Sequence, residues 1–229
     1  MRTVMVDIKP NHSAAPYLGK NAAGSRAVRN TANFLIRNTM TGLRKPPEER
    51  THAETEALHL VFTGIQKANA HREAMDEKAV FSAIRKINSG KLTGLKAHAF
   101  LKSKLDGCGK RFPYPTAQDW FLDYETLDAI LKHTGNAAYY SCTSQVNQQA
   151  IRKTVASWKS YFKSVKDWKK HPGKYQAKPR IPGYIRGREA TAHFTNQVCR
   201  LVPAGGRLYL GFANCDQFVC LGKESLIPG

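Results

Sequence analysis

Between residues 144 and 200 the chain carries Arg152, Lys153, Lys159, Lys163, Lys166, Lys169, Lys170, Lys174, Lys178, Arg180, Arg186, Arg188 and Arg200, opposed only by Asp167 and Glu189. Groups of this type neutralise anions. Lys159, Lys163, Lys166 and Lys170 follow one another at four- and three-residue steps, the spacing that lines up side chains along one ridge of a helix. A charge run is ordinarily a solvated helix face, but such faces mix both signs and this one barely does, which favours a surface that tracks phosphates. About six contacts of this kind would lower affinity roughly a thousandfold or more between 50 and 200 mM salt, through counterion release. The candidate backbone-binding residues are Arg152, Lys159, Lys163, Lys166, Lys170, Lys174, Lys178, Arg180, Arg186 and Arg188. Tyr175 and Tyr184 are interleaved with them, placed either to stack on unpaired bases or to pack against Pro179 and Pro182.

The whole composition agrees with a polyanionic partner. Lys and Arg number 36 against 17 Asp and Glu, a formal charge of +19 over 229 residues, well beyond what solubility demands. A hydrophobic content of 41% still provides for a core, so a disordered basic tail is excluded in favour of one large domain or two small ones. Met1–Asp7 has no apolar segment of signal-peptide length, and no run approaches the roughly 18 apolar residues of a membrane span; the expected location is the cytoplasm. A basic amphipathic helix also suits a membrane surface. Against that, the aromatics of the 144–170 segment are numerous enough to form core. Cys108, Cys142, Cys199, Cys215 and Cys220 are an odd set without paired C-x-x-C spacing, which reads as reduced structural thiols rather than a disulfide framework or a closed zinc site. Cys215 and Cys220 would begin a metal site only with a second ligand pair, which the sequence lacks.

These residues need elements to position them. Val4, Val6 and Ile8 alternate with Thr3, Met5, Asp7 and Lys9, the period of a half-buried strand closed by Pro10 and Asn11. From Ser25, a possible N-cap, Val28, Ala32, Leu35, Ile36, Thr39 and Leu43 recur at helical spacing. Leu58–Ile65 and Val80–Ile87 read as two further helices, Leu95–Leu105 as a fourth. Thr116 is placed to cap a short helix with Trp120 and Phe121, and Leu127, Ile130 and Leu131 mark another. The clearest element is 144–170, where Val146, Ile151, Val155, Trp158, Phe162 and Val165 form the apolar stripe behind a possible Ser144 cap. Pro172-Gly173 ends it, and residues 174–188 hold too many breakers for regular structure. Strands follow around Ala192–Phe194, Val198–Val202, Arg207–Leu210 beyond the Gly205-Gly206 turn, and Phe218–Leu221. The fold class is therefore α+β. A first strand (1–10), a helical insertion with the basic loop (11–185) and a terminal group of strands (186–229) would together make a helical lobe and a small antiparallel β lobe.

Three segments in order carry a resemblance. Thr143-Ser144-Gln145-Val146-Asn147-Gln148-Gln149, then Trp158-Lys159-Ser160-Tyr161-Phe162, then Lys178-Pro179-Arg180-Ile181-Pro182-Gly183-Tyr184 resemble the Gln-bearing helix start, aromatic turn and basic proline loop of the TnpB/OrfB family. These are transposon-encoded RNA-guided DNA endonucleases related to type V CRISPR effectors. Phe194-Thr195-Asn196-Gln197, Arg207-Leu208-Tyr209-Leu210, Ile8-Lys9-Pro10 and Arg29-Asn30-Thr31-Ala32-Asn33-Phe34 are similar to further family segments. The resemblance implies a helical recognition lobe inserted in a wedge-like β-barrel, with guide RNA and double-stranded target DNA as partners and no membrane. Protein would read backbone shape and a short adjacent motif while base pairing reads sequence. Ser144, Gln148 and Thr195 fall where the family approaches that motif, since Gln can bond adenine and a Thr methyl can touch thymine. The plainer alternatives are a helix cap, a solvent-facing polar group and an ordinary strand residue.

The resemblance also implies that the RuvC nuclease and the zinc ribbon, with their divalent metal and zinc, lie beyond Pro228-Gly229. Asp7, Asp106, Asp119, Asp123 and Asp128 do not match the nuclease motif, so no catalytic residue, metal ligand or cofactor is assigned. The expectation is the nucleic-acid-binding N-terminal half of such an endonuclease, without its catalytic domain. A standalone nuclease-free DNA-binding repressor or transposition factor is the alternative.

Overall fold

The computed structural model describes residues 5–223. Its first helix, α1, covers Ala15–Gly42, beginning ten residues before Ser25. Gly19 and Gly24, each costing about 1 kcal/mol of helix propensity relative to Ala, hide this first part from a reading of the sequence. Ser25 is therefore buried in the helix interior rather than capping its end, and its hydroxyl donates to the Thr191 carbonyl at 2.9 Å.

Helix α2 spans His52–Asn88 as one element where two were expected. Residues 66–79 have no apolar stripe, but they also have no Pro or Gly and are rich in Ala, Glu and Lys, so helix propensity carries the chain across. A capping box starts it: the Thr51 hydroxyl accepts from the Glu54 amide, and the Glu54 carboxylate accepts from the Thr51 amide at 2.9 Å. Helix α3 follows over Gly94–Gly107 and α4 over Tyr124–His133. The expected short helix around Trp120 does not form. Thr116 instead closes an isolated turn, its hydroxyl accepting from the Asp119 amide at 3.0 Å, and Asp123 caps α4 through the Thr126 amide. Helix α5 covers Ser144–Lys170 and a 3₁₀ turn over Pro172–Lys174 ends it.

Three strands, β1 (Cys199–Ala204), β2 (Arg207–Phe212) and β3 (Cys215–Lys223), form one antiparallel sheet in the order β1-β2-β3. Gly205 and Gly206 both have positive φ (57° and 71°) in the tight turn joining β1 to β2, the backbone that a two-residue hairpin demands. Among the described residues the sheet is open, not a closed barrel. Residues 5–9 are irregular, so the expected opening strand is absent there; Thr3 and Val4 lie outside the described residues. Ile8 lies against the buried cluster of Ala14, Phe212 and Val219 beside Tyr17, Leu18 and Phe194, while Val6 is exposed. Ala192 and Phe194 are also outside any strand.

The chain divides into two compact units, with the boundary inside α1. One comprises residues up to Phe34 and from Asn136 on, and holds the sheet, α5 and the first part of α1. The other is Leu35–Gly135, in which α2 packs against α3 and α4 around buried Leu58, Val61, Ile65, Leu127, Ile130 and Leu131. No helix among the described residues is long and apolar enough to cross a membrane.

Candidate nucleic-acid interface

The basic, breaker-rich segment after α5 is irregular, yet it is firmly held. Asn33 donates from Nδ2 to the carbonyls of Pro182 (3.2 Å) and Gly183 (3.1 Å). Asn30 donates to the Ile185 carbonyl and accepts from the Ile185 amide at 2.8 Å. Further on, the Ala190 amide donates to the Ala22 carbonyl and Ser25 to Thr191. Tyr17 stacks on Phe194, ring centroids 6.1 Å apart. The partners on α1 descend from 33 to 17 as those on the segment rise from 182 to 194, so the segment runs antiparallel along the helix. Side-chain amides replace the ladder that Pro and Gly forbid. Helix α5 joins the same arrangement, since the buried Trp158 indole donates to Asn33 Oδ1 at 2.8 Å. The Thr143 amide and hydroxyl both donate to Asn21 Oδ1 at 3.0 Å. That hydroxyl is spent on Asn21, so Thr143, the capping residue by position, makes no side-chain cap, and Ser144 is the first residue of the helix rather than its cap.

All ten basic residues read from the sequence are exposed: Arg152, Lys159, Lys163, Lys166, Lys170, Lys174, Lys178, Arg180, Arg186 and Arg188. At about 100° per residue, the first five fall within an arc of about 60° on α5. Buried Asn147, Ile151, Thr154, Val155 and Trp158 occupy another face. Gln145 and Gln148 fall in the same arc as the lysines, so one stripe passes from amides to cations along the helix. Pairs such as Lys159–Lys163 and Lys166–Lys170 repel at i,i+4 by a few tenths of a kcal/mol, and Asp167 is the one acid in the helix. Asp167 accepts the Tyr175 hydroxyl at 2.7 Å; this bond holds the carboxyl below its ordinary range and raises the phenol.

The three residues placed at the adjacent motif lie in one unit. Ser144 is exposed, while Gln148 and Thr195 are half-buried. Thr195 is not in a strand; it opens the turn before β1, with its carbonyl accepting from the Val198 and Cys199 amides. Its hydroxyl donates to Gln145 Oε1 at 2.8 Å, and Gln145 donates in turn to Gln197. Gln145 is thus the link between the start of α5 and this turn. It was not singled out from the sequence, although its i, i+3, i+7 relation to Gln148 and Arg152 carried the signal. Asn30 and Asn33 gave no such signal, because their partners lie about 150 residues away. Of the tyrosines, Tyr175 is half-buried and tethered to Asp167, whereas Tyr184 is 42% exposed.

The thiols do not converge on a metal. Among the described residues no group of three or more His, Cys, Asp or Glu is arranged to hold an ion. Burial pushes the Cys142 thiol up to about 11, well away from a reactive thiolate. Comparison with protein-family models, curated proteins and solved structures found no match to this chain.

Proposed function

We propose that this chain binds nucleic acid through the α5 ridge and the basic segment laced to α1. In this reading it is the nucleic-acid-holding N-terminal half of a TnpB-type RNA-guided DNA endonuclease, with guide RNA and double-stranded target DNA as partners. The open three-stranded sheet would serve as the family's wedge-like β lobe, and cleavage would belong to a separate nuclease domain. The observation that carries the reading is the exposed stripe on α5, in which Arg152, Lys159, Lys163, Lys166 and Lys170 share one arc of a helix with a single acid. A helix that only needed solvation would intersperse acids and gain a few tenths of a kcal/mol per pair.

The test is the salt dependence of binding to a single-stranded RNA and to a DNA duplex. Replacing Lys159, Lys163, Lys166 and Lys170 with Gln should reduce the slope of log affinity against log salt by about 3 for the RNA. An unchanged slope would remove the ridge from the interface. Sequencing RNA that copurifies with the chain addresses the family: a discrete transposon-end transcript supports it, and random cellular RNA reduces the proposal to electrostatics.

A further inference from the structure

We propose that the exposed face of α2 carrying Lys78, Phe81, Ile84 and Arg85 docks an acidic amphipathic helix of a partner protein. Apolar periodicity groups Val80, Phe81, Ile84 and Ile87 as one helix stripe, but folding divides the four. Ala83 is buried and its neighbours Val80 and Ile87 are half-buried; at about 100° per residue these three share an arc of about 60°, the covered side of α2. Lys78, Phe81 and Arg85 cluster roughly 160° away, with Ile84 between the two sides. Phe81 is 70% exposed and Ile84 40%. With Ser82 and Asn88 they line one open groove, so the exposed ring, the aliphatic side chain and the two cations are contiguous.

Charge and shape identify the occupant. No Asp or Glu lines the groove, and none occurs from Lys78 to Leu105, where Lys and Arg recur throughout. Lys78 precedes Phe81 by three residues and Arg85 follows it by four, so a cation stands at each end of the ring along the helix. A partner that covers the ring, recovering about 25 cal/mol for each Å² of apolar surface buried, must therefore bring carboxylates beside its own apolar stripe. A second copy of this chain does the reverse, since a two-fold contact sets Lys78 and Arg85 against themselves. A nucleic-acid strand suits the cations and can stack a base on Phe81, but it has no use for Ile84. On α5, whose cations form the proposed phosphate ridge, Val146, Ile151 and Val155 are buried. From Lys78 to Asn88 the face extends about 15 Å, nearly three turns, the length over which a partner helix can interdigitate its ridges.

This docking face does not depend on the nucleic-acid reading, and the experiment keeps the two apart. The probe is a fluorescein-labelled synthetic peptide of about 18 residues with Leu at heptad positions a and d, Glu at e and g, and Ala elsewhere. Its controls are a scrambled peptide of the same composition and one with Lys in place of Glu. Fluorescence anisotropy with the full chain should show the patterned peptide binding about tenfold or more tighter than either control. Phe81→Ser with Ile84→Ser should weaken it about tenfold. Lys78→Gln with Arg85→Gln should weaken it about threefold and flatten its salt dependence. All four positions are exposed, and far-UV circular dichroism checks that both double variants keep their helix content. The Lys159, Lys163, Lys166 and Lys170 quadruple Gln variant should bind the peptide within about twofold of wild type; a larger loss places the peptide on the α5 ridge and overturns the docking face. Equal binding of patterned and scrambled peptides, no binding at about 1 mM, or binding indifferent to both double variants also overturns it. Octauridylate that displaces the peptide and itself weakens with Phe81→Ser and Ile84→Ser would assign the face to nucleic acid instead. A dimer of the wild-type chain in sedimentation that the same pair of changes dissociates would assign it to a second copy.

Discussion

Asn33 satisfies three partners at once: it accepts from the Trp158 indole and donates to two carbonyls of the basic segment. Asn33→Ala leaves a buried indole N–H and two carbonyls without it, which should cost about 1–3 kcal/mol. The measurement is the urea midpoint, with Lys166→Ala as an exposed control expected within about 0.5 kcal/mol of wild type; equal midpoints for the two would refute the role given to Asn33. In the other unit, Glu54 is held down to about 2 by the Thr41 hydroxyl first, then the Thr51 amide and Lys45, against its burial. Lys45 approaches to 2.9 Å. A carboxylate depressed on folding stabilises above its unfolded value near 4.5 and loses that contribution as pH falls toward 2. Stability measured from pH 5 to pH 2 should therefore fall less steeply in Glu54→Gln, which will already be weaker at pH 7. Parallel curves would show that Glu54 does not titrate in this way.

Among elements, the contact of α2 with α4 depends on Gly64. A Cβ there would come within 2.8 Å of Ile130 Cγ2 and 3.0 Å of Ile130 Cα, and the backbone atom cannot swing aside. Gly64→Ala improves helix propensity by about 1 kcal/mol yet should still be net destabilising, by roughly 1–2 kcal/mol after overpacking. A rise in denaturant midpoint would show that α4 can retreat freely. The same competition between propensity and packing explains the longer helices. The sequence reading stopped where apolar periodicity faded, at Ser25 and between Ile65 and Val80. The structure continues through 66–79 because no Pro or Gly breaks that stretch, and it extends α1 ahead of Ser25, despite Gly19 and Gly24, where Tyr17 and Leu18 have a sheet to meet.

For the whole molecule, a formal charge of +19 repels itself, and salt screens that repulsion as the Debye length shrinks from about 30 Å at 0.01 M to about 10 Å at 0.1 M. Nucleic-acid-free protein should accordingly melt several degrees higher in 0.2 M than in 0.02 M sodium chloride, while its affinity for RNA falls over the same range. The two trends have opposite signs and are read by thermal unfolding and by binding titration. A melting temperature that drops with salt would mean the cations are already paired within the fold.

The sequence by itself determined the α+β class, the position of α5, the hairpin at Gly205-Gly206 and the exposure of the ten basic side chains. Each of these depends on local spacing, turn chemistry or the cost of burying charge, and so is written within a few residues. Only the tertiary structure decided that residues 5–9 are not a strand, that the sheet stays open, and that a segment full of Pro and Gly is laced to α1. It also brought Gln145 to Thr195 and the Trp158 indole to Asn33. Those outcomes turn on partners separated by tens to more than a hundred residues, where a polar side chain's role is fixed by the groups that folding places opposite it.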